Sequence, residues 1–185
     1  MPGGPVSAAD HRAKVGFFGK LPSRGDFVRI GLSRAFADAW DQWLHAVIPP
    51  TRQALGESWD DAWSRMPVWR FSFAAGLCGA TSVSGVWLPS TDCVGRSFPL
   101  LIGAECAMAN DAFLDAAERI GTESIKAALA PDWLAQSLNA APPPLPAGTP
   151  ASVGIFWWRT ADATVQDYCS EVWPDEHAFL RMLTA

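Results

Sequence analysis

Two short stretches hold the side chains with chemistry to offer. The first is Lys20-Leu21-Pro22-Ser23-Arg24-Gly25-Asp26. The second is Pro89-Ser90-Thr91-Asp92-Cys93-Val94-Gly95-Arg96-Ser97. Each carries an acid, a base and a glycine, and Pro/Gly punctuation predicts loops. Binding residues concentrate on loops held by rigid elements. Lys20, Ser23, Arg24, Asp26, Asp92 and Arg96 are therefore the candidate partner-binding residues, provided both loops meet at one edge of a sheet. A different chemistry is open to Arg24 and Arg96, because guanidinium forks bind oxyanions bidentately. That reading is a small hydrolase or transferase acting on an anionic group. The plainest reading is two ordinary turns with a local ion pair, worth about 0–1 kcal/mol if exposed. Gly25 is expected to permit an unusual backbone turn between Arg24 and Asp26.

Other catalytic patterns fail on their spacing. Gly19-Lys20 suggests a phosphate-binding loop, but Lys14 stands where the motif needs its first glycine and Leu21 where it needs Ser or Thr. No G-x-G-x-x-G follows a strand and no G-x-S-x-G elbow occurs. His11, His45 and His177 form no zinc-gripping pair, and Cys78, Cys93, Cys106 and Cys169 form no C-x-x-C. Asp60-Asp61 opens a helix, where carboxylates favour the positive end of the dipole. Asp162 and Asp167 are expected in a turn and its flank. Arg24-Gly25-Asp26 spells an adhesion tripeptide that is short enough to arise by chance. The expectation is no catalytic residue, no metal and no cofactor.

Composition narrows the partner classes. The 185-residue chain is 49% hydrophobic with a net charge of −5, which suits one globular domain. Nucleic-acid binding demands Lys/Arg clusters, and none stands out in the sequence. The acidity also argues against anionic lipid, and no run of 18 apolar residues predicts membrane insertion. Scattered thiols and the lack of an apolar leader in the first fourteen residues point to the cytoplasm. Ten tryptophans are unusual; most are expected in the core and a few at a docking face.

The elements that must position these loops are set by periodicity. Residues 1–14 read as a flexible lead-in. A strand is predicted at 15–19. Ser33 caps a helix to about Ile48, with Phe36, Trp40, Trp43, Leu44 and Val47 on one face, stopped by Pro49-Pro50. A short helix comes next, from Trp59 to Arg65. Strands are predicted at Trp69 to Phe73, Val83 to Leu88 and Phe98 to Ala104. Asn110 caps a helix to about Leu129, and Pro131 opens another through Leu138. Residues 140–150 form a Pro-rich surface loop rather than a domain boundary, because the chain after it is too short to fold alone. A strand from Val153 to Arg159 and a helix after Pro174 complete the series. Mixed strands and long helices favour an α/β layered sheet, one domain over 15–185.

Three stretches together resemble the TagF/ImpM family encoded in bacterial type VI secretion clusters. They are Gly16-Phe17-Phe18-Gly19-Lys20-Leu21-Pro22-Ser23-Arg24-Gly25-Asp26-Phe27-Val28, Trp69-Arg70-Phe71, and Gly85 through Asp92 with Val94-Gly95-Arg96 and Phe98-Pro99-Leu100. Trp40, Trp43 and Val153 through Trp158 agree with that pattern. The resemblance implies a three-layer α/β/α sandwich on a central sheet of mixed strand direction. It implies a post-translational regulator that represses the secretion apparatus through protein–protein binding, with the cluster's forkhead-associated scaffold protein as partner. Some members carry a fused phosphatase domain, which is expected to be absent here, so no enzyme activity is expected. The motif residues are implied to set the fold first, with Gly19, Pro22, Gly25 and Gly95 as backbone-shape positions. A structural, oligomer-forming subunit is a third reading, though the sequence lends a homo-oligomer no support.

Overall fold

The computed structural model describes residues 13–105, 107–108, 110–146, 154–161 and 164–185. Residues 1–12 of the expected lead-in, His11, Cys106, residues 147–150 of the Pro-rich stretch, Val153 and Asp162 lie outside the described residues. Lys14 belongs to the first strand rather than to a lead-in.

The strands are β1 (Lys14–Gly19), β2 (Val28–Ile30), β3 (Trp69–Phe73), β4 (Val83–Leu88), β5 (Leu100–Glu105), β6 (Ala107–Met108), β7 (Leu145–Pro146), β8 (Ile155–Ala161) and β9 (Thr164–Ser170). The helices are α1 (Arg34–Leu55), α2 (Trp59–Arg65), α3 (Asp111–Lys126), α4 (Pro131–Asn139) and α5 (Glu176–Leu183). Seven strands form one sheet in the order β2-β1-β5-β4-β3-β8-β9. The expected α/β sandwich is present, but its sheet is not of mixed direction: every pairing is antiparallel. Four of the six neighbouring pairs join strands consecutive in the chain. Consecutive strands without a helical crossover pair antiparallel.

Alternation along the strands sends side chains to two separate cores. On one face α1, α2 and α5 cover Phe71, Phe73, Trp87, Leu101 and Trp157. On the other α3 and α4 cover Phe17, Val86, Leu88, Leu100 and Ile102. β8 pairs with β3, so the chain beyond the Pro-rich stretch completes the same sheet.

The α1 helix departs from its prediction, since it runs through Pro49 and Pro50 to Leu55. Prolines inside a helix cost ~3 kcal/mol. Here Val47 and Thr51 are buried on either side of them, and the second half of the helix packs on the first core through Leu55. Packing of the flanking turns outweighs the two lost backbone bonds. Among the described residues four strands escape the sequence pattern: β2, β6 and β7, which are only two or three residues long, and β9, where Asp167 lies in a strand rather than in a turn flank. The tryptophans follow the expectation that most sit in the core. Seven of the ten are buried, Trp133, Trp158 and Trp173 are half-buried, and none is exposed.

Candidate functional site

The two charged loops meet. The first leaves the C-terminal end of β1 and the second joins β4 to β5, and β1 and β5 are neighbours with Gly19 opposite Leu100. Gly19 sits at φ 139°, and a Cβ there would lie 2.1 Å from the Pro99 carbonyl oxygen. Only glycine allows this close approach. Gly95 also needs its freedom, at φ 85°. Gly25 does not: its φ is outside the left-handed region, and an added Cβ would make ordinary contact with Cys93 Sγ at 3.5 Å.

Asp92 is the centre of the junction. Its side chain is fully buried and its Oδ2 accepts from Lys20 Nζ at 2.7 Å and from Arg96 Nε at 2.6 Å. Its Oδ1 accepts from the backbone N–H of Val94 at 3.0 Å and of Arg96 at 2.9 Å. Arg96 then reaches across to donate to the Gly25 carbonyl at 2.8 Å. Cys93 N–H donates to the Arg24 carbonyl, and the Ser90 hydroxyl to the Lys20 carbonyl. Ser23 is turned inward, donating to the Leu129 carbonyl at 2.8 Å. Trp63 and Trp59 donate to the Ser90 carbonyl and Ser97 Oγ, tying the second loop to α2.

Burial alone would push the Asp92 carboxyl up. The Lys20 ammonium, the Arg96 backbone N–H and guanidinium, and the Val94 N–H outweigh that and hold it well below the usual carboxylate range. A general base needs the opposite tuning, towards neutrality. Asp92 is a structural latch.

The six candidate residues therefore divide. Lys20 and Asp92 are buried and paired with each other, and Ser23 is half-buried. Arg24, Asp26 and Arg96 are exposed on the joined loops. Sequence reasoning missed Phe27, which follows Asp26 and is 45% exposed while stacking on Phe18 at 5.7 Å and meeting Phe98 edge-on at 4.7 Å. Lys20 Nζ lies 5.1 Å from the Phe27 ring centroid. The adjacency of an aromatic ring to the charged tripeptide was the available signal.

A second ionic cluster lies across the sheet. Arg70 of β3 meets Asp115 at 2.5 Å, Glu118 at 3.2 Å and Asp111 at 3.6 Å, all from α3. It borders a shallow groove of about 660 Å³ along that helix. No group of three or more potential metal ligands occurs among the described residues. No helix among them is long and apolar enough to cross a membrane.

The chain matches the family model described as TagF N-terminal domain, type VI secretion system-associated, over residues 16–141. A crystal structure of PA0076 from Pseudomonas aeruginosa PAO1 is similar over 92% of this chain and 94% of that one, at 31% identity and a TM-score of 0.78. No curated protein matches the chain. The chain belongs to the TagF N-terminal domain family, which is associated with type VI secretion.

Proposed function

We propose that this member of the TagF N-terminal family acts in the cytoplasm as a post-translational repressor of type VI secretion, without catalysis of its own. It does so by docking on the forkhead-associated scaffold protein of the same cluster. The observation that carries this reading is the latch. Asp92 joins two loops from distant parts of the sequence into one unit. A rigid unit presents Arg24, Asp26, Phe27 and Arg96 together at little conformational cost, the condition under which a few residues dominate binding. The anion-binding alternative gains no such support. The Arg96 guanidinium is already engaged by Asp92 and the Gly25 carbonyl, and Asp92 is tuned away from acid–base work.

Calorimetric titration of the protein with that scaffold tests the proposal. Saturable binding is expected, weakened roughly tenfold (about 1.4 kcal/mol) by Arg24→Glu, with the fold unchanged because Arg24 is exposed. Absence of binding by the folded protein would overturn the partner assignment. Unchanged binding by Arg24→Glu would overturn the assignment of this face.

A further inference from the structure

Between α1 and the joined loops lies a cleft of about 230 Å³, lined by Lys20, Phe27, Leu44, His45, Ile48, Pro49, Ser97 and Phe98. Its walls are apolar and aromatic, with the His45 ring 6.2 Å from that of Phe98. Its polar side chains are Lys20, His45 and Ser97. Lys20 has three donors, and Asp92 takes one of them, which leaves N–H capacity at the cleft. The carbonyl and carboxylate oxygens of a peptide are acceptors that match this capacity.

The electrostatics select the segment's charge. Residues 13–38 hold five cations, Lys14, Lys20, Arg24, Arg29 and Arg34, against Asp26 and Asp38, in a chain whose net charge is −5. Arg34 pairs with Asp38 and Lys20 with Asp92. Arg24 and Arg29 are exposed and make no ion pair among the described residues. Arg29 stands opposite Phe18 in the β1–β2 register, which puts it on the α1 side with Phe27. His45 is held by Asp41, 3.3 Å away. The cleft thus has an apolar interior, with Arg29 on the same side as Phe27 and the Asp41 carboxylate taken up by His45.

We infer that this cleft docks a partner segment in which an apolar side chain is flanked by carboxylates. The apolar group would fill the space between Phe27, Ile48 and Phe98. The carboxylates would face Arg29 and the spare N–H groups of Lys20, a complementarity that sets specificity and encounter rate. This rests on the proposed binding role and deepens it by naming the partner's chemistry; its test uses a synthetic peptide beside the scaffold, so the two can fail separately.

The test follows amide and methyl NMR shifts of the whole chain on titration with the synthetic peptide Glu-Glu-Leu-Phe-Glu-Glu. Saturable shifts are expected at Phe27, Leu44, Ile48 and Phe98. Ile48→Ser should weaken them at least tenfold, as should Phe27→Ala; Ile48→Ser serves if the Phe27 variant fails to fold. The same peptide with Lys for Glu, or with Ser for Leu-Phe, should leave the cleft unmoved. Shifts elsewhere, or equal shifts from the Lys peptide, single-stranded DNA or anionic phospholipid vesicles, would overturn the inference. Scaffold binding unaffected by Ile48→Ser would overturn it while leaving the regulatory reading intact. A cleft that takes the peptide in a protein that ignores the scaffold would do the reverse.

Discussion

Lys20–Asp92–Arg96 and Arg70–Asp111–Asp115–Glu118 are built from the same chemistry and serve different ends. At the latch one carboxylate is fully buried and takes bonds from two cations and two backbone N–H groups. At the helix cluster one guanidinium, 18% exposed, faces three acids whose side chains are 39–91% exposed. Water screens the second far more than the buried Lys20–Asp92 pair of the first. A buried ion is held only if its partners remain, so losing one partner is far more costly than at a hydrated site. Ion pairs counted on distance alone would rank the two as equals.

The largest expected effect is therefore from Asp92→Ala, which strands Lys20 without its anion. It should lower unfolding stability by roughly 3–5 kcal/mol in urea denaturation. A loss below about 1 kcal/mol would erase the distinction between the two clusters. The next effect is in acid. The folded-state pKa of Asp92 is depressed, so its contribution is present above the unfolded value of about 3.9 and is lost as pH falls below that. Between pH 4 and 2 the wild type should lose stability more steeply than Asp92→Asn, by up to ~1.4 kcal/mol per pH unit for one proton. Parallel profiles would mean the carboxyl is not held low. The smallest effect is at the other cluster: Asp115→Asn should cost about 0–1 kcal/mol and cost less still in high salt. A salt-insensitive loss of several kcal/mol there would show that Arg70 is also a latch.

Much of this fold was legible. The helix Trp59–Arg65 and the strands Trp69–Phe73 and Val83–Leu88 match the periodicity residue for residue. Asn110 and Ser33 cap the helices assigned to them. The illegible parts depend on contacts distant in sequence. Pro49-Pro50 reads as a stop until the packing of Val47, Thr51 and Leu55 is known. The segment Thr164–Ser170 has weak alternation and becomes a strand by pairing with β8. At the candidate site both loops were visible, but Lys20 and Asp92 are 72 residues apart. Their types show that they can pair, whereas only the register of β1 against β5 shows that they do. The same convergence turned two candidate contact residues inward.

The aromatic core has an optical consequence. The rings of Trp40 and Trp43 are 5.2 Å apart, Trp43 and Trp157 5.5 Å, Trp40 and Trp87 5.8 Å, and Trp43 and Trp173 5.1 Å. Indole chromophores this close, fixed at defined angles, couple their electronic transitions. Their near-ultraviolet circular dichroism then registers the geometry of the packed core and vanishes when side-chain packing is lost, even if helices survive. No tryptophan lines the α1 cleft. The protein thus carries its own spectroscopic gauge, blind to events at that cleft and sensitive to the integrity of the core beneath it.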